Sequence, residues 1–346
     1  MNSERPRLDP AVAAVRLAVR THLTRARDEG VLADGNLVLV ALSGGADSLA
    51  LAAATAFEAP KQGLLAGAVV VDHALQAGSE AVAERASRKA AALGLAPVVV
   101  DQVAVGTAGG PEAAAREARH ASIARVAASE WSPLVLLGHT LDDQAETVLL
   151  GLLRGSGPDS LSGMAPLVRP DRPGPSLGRP MLGLRRATTR QACAAAGLVP
   201  WDDPQNEDPA FTRVRVRSAL MPVLERELGT GVPEALARTA DQLREDAAAL
   251  DHFAEEMAED LAEHSEAGIS LSVPGLAANP PALRQRLVRL AVEGEFGVTL
   301  SRTQTLEVCR LVTDWHGQGP ITLPGVTATR VGDRVLFAAG QAQPGR

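Results

Sequence analysis

The sequence predicts an α/β fold: a doubly wound parallel sheet, followed by a smaller, mainly helical C-terminal domain that ends in short strands. Three observations carry this prediction. Short apolar runs alternate with helical stretches over residues 36–154, which is the beat of a parallel sheet covered on both faces. Turn-forming and chemistry-bearing residues stand directly after those runs, where strand ends of such a sheet bind ligands. Beyond Leu228 helical periodicity takes over until an alternating tail.

The elements follow in order. Residues 11–29 have the apolar spacing of an amphipathic helix, and residues 36–42 form the first buried-strand candidate, with turn residues on both sides. An Ala/Leu-rich helix runs to about Phe57; a strand at 67–71, a helix at 79–93 and a strand at 97–103 complete a βαβαβ unit. Pro111 suits the first turn of a helix over 111–129. A strand at 133–137 and a helix at 142–154 follow. Residues 155–179 are rich in Gly, Pro and Ser and read as a long loop, a length that in compact domains usually has a function. A helix near 188–196, a polar turn at 202–208 and a helix ending near Leu228 lead to a domain boundary at 229–233. Helices are expected at 234–263, 281–293 and 301–313, then a small strand unit over 321–337, interrupted at Gly325 and at Gly332-Asp333.

Length and composition exclude several classes. The 346 residues, 46% hydrophobic and 22% charged, suit two or three folded domains rather than disorder. No apolar run reaches spanning length and residues 1–7 lack signal-peptide order, so a cytosolic protein without a membrane partner is expected. Cys193 and Cys309 are far apart and outside any CxxC pair, which argues against disulfide, thiolate-zinc or iron–sulfur frameworks. The formal charge of -7 disfavours broad nucleic-acid binding, but arginines crowd residues 169–190 and 213–217, while Lys61 and Lys89 are the only lysines.

Three strand ends carry chemistry. Ser43-Gly44-Gly45-Ala46-Asp47-Ser48 follows the first strand: paired glycines allow close backbone approach, successive N–H groups form an anion nest, and the following helix adds its positive end. Ser43 and Ser48 add hydroxyl donors, whereas the lysine of a P-loop is missing; a tight turn before a capped helix is the bland alternative. Asp72-His73 ends the second strand, where ribose or base would rest if a nucleotide lay across the strand tips, or where the pair merely caps a turn. The third string, Gly138-His139-Thr140-Leu141-Asp142-Asp143-Gln144-Ala145-Glu146-Thr147, places Asp143 and Glu146 three apart on one helix face at its positive end. Asp142 and Asp143 are also good capping residues. Two acids and a histidine there suit a magnesium ion, or an ammonium substrate that must lose protons before it attacks.

These strings also carry a resemblance. SGGADS resembles the pyrophosphate-binding turn of PP-loop, or N-type, ATP pyrophosphatases, whose fold is adenine nucleotide alpha-hydrolase-like, and Val71-Asp72-His73-Ala74-Leu75 is similar to their VDHxL. The string GHTLDDQAETVLLGLLRGSG resembles the tRNA(Ile)-lysidine synthetases within that superfamily. Further matches in family order are Ala115-Arg116-Glu117-Ala118-Arg119, Gly163-Met164, Arg179-Pro180-Met181-Leu182, Pro200-Trp201-Asp202-Asp203-Pro204-Gln205-Asn206 and Phe211-Thr212-Arg213-Val214-Arg215-Val216-Arg217. Val214 departs from the family's more common Arg-Asn at that point. The likeness is strong over about 38–222, weaker to 337, and leaves room only for a short form.

The resemblance implies a carbon–nitrogen ligase that uses ATP and Mg²⁺ to join L-lysine to C2 of the wobble cytidine in the CAU anticodon of minor tRNA(Ile), releasing AMP and pyrophosphate. The codon read would change from AUG to AUA. It implies a catalytic domain over 1–228 and a tRNA-binding or substrate domain over 229–346. It assigns Asp143 and Glu146 to the lysine, Arg116 and Arg213 to the α-phosphate or cytidine, and Ser43, Gly44, Gly45, Ala46, Asp47, Ser48, Asp72, His73 and His139 to the nucleotide. Asp47 and Asp142 are the expected Mg²⁺ ligands, Arg217 is a further candidate, and monomer and homodimer both stay open. A tRNA thiolase is the rival within the superfamily, but it needs cysteines to carry sulfur or a cluster. A nucleotide-binding module of the universal-stress type is the rival outside it, and it would not need the acids at 142–146.

Overall fold

The computed structural model describes residues 8–72, 78–104, 106, 111–155, 157–170, 173–266 and 268–340. They form two compact units, Met1–Gln242 and Leu243–Arg346.

In the first unit, α1 (Pro10–Asp28) starts with proline, and the Asp9 carboxylate accepts from Ala11 N at 2.8 Å. β1 (Leu37–Ala41), α2 (Ala46–Glu58), β2 (Leu65–Asp72), α3 (Ser79–Ala92), β3 (Val98–Gln102), α4 (Pro111–Ser129), β4 (Leu134–Leu136) and α5 (Leu141–Leu153) then alternate as expected. The segment read as a loop over 155–179 instead holds α6 (Pro158–Leu161), β5 (Leu167–Val168) and β6 (Ser176–Gly178). Strands of two and three residues are too short to show a period, so neighbouring backbone rather than side-chain pattern defines them. α7 (Arg186–Ala195), α8 (Thr212–Arg215), a π-helical turn (Val216–Leu220) and α9 (Met221–Leu228) follow.

The sheet order is β3-β2-β1-β4-β6-β5, parallel throughout except for β5 at the edge. β1 is buried along its whole length because the pleat feeds both faces. Val38 and Val40 point to one core with Val19 and Leu23 of α1, Leu49 and Leu51 of α2 and Ala90 of α3. Leu39 and Ala41 point to the other with Ile123 and Val126 of α4. The order reverses between β1 and β4, and the crevice beyond the carboxyl ends of these two strands is where such sheets bind ligands.

α10 (Val232–Leu261) carries the chain into the second unit, which continues with β7 (Ala262–Ser265), β8 (Gly268–Ser272), α11 (Val273–Ala278), α12 (Pro281–Phe296), α13 (Arg302–Thr313), β9 (Ile321–Leu323), β10 (Val326–Val331) and β11 (Arg334–Ala339). Its antiparallel sheet has five strands in the order β7-β8-β11-β10-β9. The expected tail strands are β9 to β11; β7 and β8 add a hairpin where the helix was expected to run on to 263. Leu271, Leu276, Leu287, Val292, Leu311 and Phe337 form this unit's core. Among the described residues no helix is long and apolar enough to cross a membrane.

Candidate active site

At the end of β1 the chain turns through Ser43 and Gly44, the latter at φ 85°, and enters α2 with Gly45 as its extended cap. Ser48 closes the turn on itself: its Oγ accepts from Ser43 N at 3.2 Å, donates to Gly45 O at 3.0 Å and lies 3.1 Å from Ser43 Oγ. Trp201 N donates to Gly44 O at 3.0 Å, tying the 201–203 segment to this turn. A Cβ on Gly138, at the end of β4, would lie 3.1 Å from Ser48 N and 3.2 Å from Asp47 C, so only glycine lets β4 pass this close to the first turn of α2.

α5 opens with a capping box, in which Thr140 N and Oγ1 both donate to Asp143 Oδ2 at 2.8 Å. Asp143 Oδ1 is left to face inward, where Arg186 and Arg217 donate to it at 2.8 and 3.2 Å. Burial alone would raise the Asp143 carboxyl; Arg186 and the Thr140 donors outweigh it and hold the group below its ordinary range. Glu146, 2% exposed, receives Arg217 Nε at 2.8 Å and Arg217 NH2 at 3.1 Å, with Arg186 at 3.4 Å and Arg213 Nε at 3.7 Å.

α7 is the clamp that joins these pieces. The Arg186 backbone N donates to Asp142 Oδ2 at 2.7 Å, so Asp142 caps this helix, and Arg185 Nε lies 3.3 Å from its other oxygen. Arg186 Nε stands 3.6 Å from Asp47, and the buried Thr189 hydroxyl donates to the same carboxylate. Burial nonetheless pushes the Asp47 carboxyl up against that hydrogen bond, and the nearby Asp143 adds to the rise.

A second cluster is cationic. Arg119 and Arg179 are pushed down by burial and by the charge of Arg116. His139 is lowered to about 4, by burial first and by Arg179, Arg119 and Arg213 against the opposing pull of Asp143. It is therefore neutral at pH 7, and its buried Nδ1 has no partner among the described residues. Buried cations beside an anion nest suit a polyphosphate.

Members of both clusters, Asp143 with Arg186 and Arg217 from the first and Arg119 with His139 from the second, border one cavity of about 630 Å³, within the size of a nucleotide-type site. Its walls come from Ser43, Gly45, Asp47 and Ser48, from His139 and Asp143, from Arg119, and from Arg186 and Arg217. Asp142 is not on the wall. Arg116 is exposed and off the wall, but its charge reaches Arg119; Arg213, also off the wall, stands on the acid side, 2.9 Å from Thr147 Oγ1. Asp72 ends β2 and is buried, and His73 lies outside the described residues. Sequence reasoning missed Arg186 and Thr189. The sequence shows the arginine crowding over 169–190 but not that Arg185 and Arg186 turn inward onto acids rather than form a basic surface.

Residues 17–224 match the PP-loop domain family and residues 271–336 match the TilS substrate binding domain. A tRNA(Ile)-lysidine synthase from Leifsonia xyli subsp. xyli is 61% identical over 307 residues, covering 88% of this chain and 91% of the relative. The chain belongs to the tRNA(Ile)-lysidine synthase family. A second family member, from Streptomyces coelicolor, is 49% identical across 96% of this chain and 99% of its own. One from Thermobifida fusca is 51% identical across 95% and 98%. Among solved structures, a U34-tRNA thiolase from Methanococcus maripaludis with its 4Fe-4S cluster superposes at TM-score 0.56 and 19% identity, covering 68% of this chain and 80% of that one. That likeness is one of fold.

Proposed function

We propose that this chain joins L-lysine to C2 of the wobble cytidine of a CAU-anticodon tRNA(Ile), using ATP and releasing AMP and pyrophosphate. The observation that carries the reading is the meeting, in one cavity, of a phosphate-type turn, the Arg119 guanidinium and Asp143, with buried Glu146 joined to Asp143 behind the wall through Arg186 and Arg217. The first half suits a triphosphate: Ser43, Ser48 and the Gly44-Gly45 backbone hold the leaving pyrophosphate, and Arg119 and Arg116 supply positive charge as it develops. The C2 oxygen attacks the α-phosphate, which turns a poor leaving oxygen into AMP. Neutral His139, with an unpartnered Nδ1, can bond a neutral base or ribose without adding charge.

The second half suits an amine. Asp143 and Glu146 hold the lysine ammonium and take up protons as the nitrogen approaches C2, and AMP then departs. Asp47 fits a magnesium ion: its carboxyl is on the cavity wall, where burial outweighs the help of Arg186 and raises it, and Mg²⁺ needs only one or two carboxylates beside phosphate oxygens and water. When bound there, the ion would neutralise charge on the phosphates. Asp142 is committed to α7 and Arg185, and we assign it to holding that clamp.

We further assign tRNA discrimination to residues 229–346. The CAU triplet is shared with methionine tRNA, so contacts beyond the anticodon must supply the difference in kcat/KM. Thiol chemistry is not favoured. Cys193 is buried, donates to Ala46 O at 3.2 Å and is pushed up to about 11, far from a reactive thiolate.

The test is incubation with ATP, labelled lysine and bulk tRNA, followed by nucleoside analysis. Labelled lysidine in the minor isoleucine tRNA is the expected product. Pyrophosphate release without it, or label in methionine tRNA at a comparable rate, would refute the assignment.

A further inference from the structure

The carboxylate pair that is to receive an ammonium group is already filled. Arg217 donates to Glu146 through Nε at 2.8 Å and NH2 at 3.1 Å, and to Asp143 at 3.2 Å; Arg186 donates to Asp143 at 2.8 Å and to Glu146 at 3.4 Å. Two carboxylates and two guanidiniums balance, with Arg213 a more distant third cation at 3.7 Å. An ammonium added to this arrangement would join Arg186, Arg217 and Arg213, four cations against Asp143, Glu146 and, through Arg186, Asp47, and like charges at such distances repel strongly where water is scarce. One arginine must leave before lysine can bind well.

The contacts decide which one. Arg186, at the first turn of α7, is also held by Asp47, and its backbone N is bonded to Asp142. Its side chain is 18% exposed. Arg217 touches only Asp143 and Glu146 among the described residues, and its side chain is 30% exposed. It projects from the π-helical turn Val216–Leu220, a rare wide turn of a kind frequent at functional sites. It also borders the cavity on whose wall stand Ser43, Asp47 and Ser48. A polyphosphate seated there is the strongest anion within its reach.

We propose that Arg217 is a displaceable counter-ion: it occupies the ammonium subsite in the nucleotide-free protein, and ATP draws it off, so that each substrate strengthens the binding of the other. This rests on the reading of Asp143 and Glu146 as the lysine site. Its consequence is order. Lysine enters a site that already holds the nucleotide, which keeps a free amine out of a cavity where nothing is yet activated.

The test is calorimetric titration of L-lysine into the full-length protein, without nucleotide and with α,β-methylene-ATP and Mg²⁺. In the wild type the lysine Kd is expected to fall about tenfold or more with the analogue, inside the usual roughly 5- to 150-fold range of such couplings. By linkage, lysine must lower the analogue's Kd by the same factor. Arg217→Met should bind lysine without nucleotide and show a ratio near one; Arg217→Gln serves as a second variant, with a cooperative thermal melt as the check on folding. A ratio of one in the wild type, or an unchanged ratio in either folded variant, overturns the proposal. Glu146→Gln separates the two layers. If it abolishes lysine binding in both conditions, the lysine site stands whatever the coupling; if lysine still binds, the site reading fails and the inference with it.

Discussion

Gly138→Ala tests whether the closeness of β4 to α2 sets the phosphate seat. The added methyl carbon would lie 3.1 Å from Ser48 N, 3.2 Å from Asp47 C and 3.3 Å from Ser48 Cα, all backbone atoms that cannot rotate away. Relief to an ordinary contact of about 3.5 Å moves the first turn of α2 or the end of β4 by a few tenths of an ångström. Overpacking of this kind costs about 1–3 kcal/mol in stability. Because the displaced atoms belong to Asp47 and Ser48, the larger effect should be catalytic: where a misplacement of about 1 Å can cost roughly 100-fold, a third of that predicts a fall of about 5-fold in kcat/KM for pyrophosphate release. The control is Gly183→Ala, whose Cβ meets nothing within 4 Å. Steady-state pyrophosphate release and thermal melting of both variants decide the matter. Equal kinetics for Gly138→Ala and wild type, with the Gly183 control also unchanged, would refute the argument.

Three further outcomes are expected. Thr189→Val removes the hydroxyl that bonds the Asp47 carboxylate, and the loss of such a charge-assisted bond, about 1.5–3 kcal/mol, should lower kcat/KM for pyrophosphate release about 10- to 100-fold. Thr189→Ser should recover most of it, and an equal loss in both variants would mean packing rather than the hydroxyl matters. Ser43→Ala and Asp47→Ala should each nearly abolish pyrophosphate release; near-wild-type release in both would remove the phosphate assignment. His22, 6% exposed, is lowered from 6.5 to about 4 mainly by burial and secondarily by Arg25, so its neutral form supports the fold above pH 6.5 and that support is lost as pH falls toward 4. Urea midpoints should show roughly 2 kcal/mol less stability at about pH 5 than at about pH 8, and His22→Gln should flatten part of that slope; an identical slope in the variant would contradict it.

Most of the first unit was legible because its signals are local and repeated. β1, β2 and β4 are continuous apolar runs, and α4 was bounded at Pro111 by its first-turn proline. The strand ends carried their own labels in Ser43–Ser48 and in residues 138–147. What escaped was whatever depends on distant partners. β6 exists because Leu134 and Leu136 pair with Ser176 and Gly178, and three residues cannot announce a strand. Arg186 looked like one arginine among many until α7 set it between Asp47, Asp143 and Glu146. Asp142 was weighed as a cap of its own helix, but its carboxylate bonds Arg186 N at the start of α7, a contact 44 positions along the chain that no local pattern could specify.

The cavity's cations are all guanidiniums. Lys61 lies over the Phe57 ring and 3.8 Å from Glu58, and Lys89 donates to Val199 O, so neither of the chain's two lysines stands on the cavity wall. An enzyme that makes an electrophilic carbon and then offers it an amine is exposed to a particular accident, in which a protein side chain is coupled to the tRNA in place of the substrate. Arginine carries positive charge without ever becoming a free amine near neutral pH. A wall built from Arg119, Arg186, Arg190 and Arg217 therefore steers anions as lysines would, yet gives the activated base no amine to react with except the substrate's own.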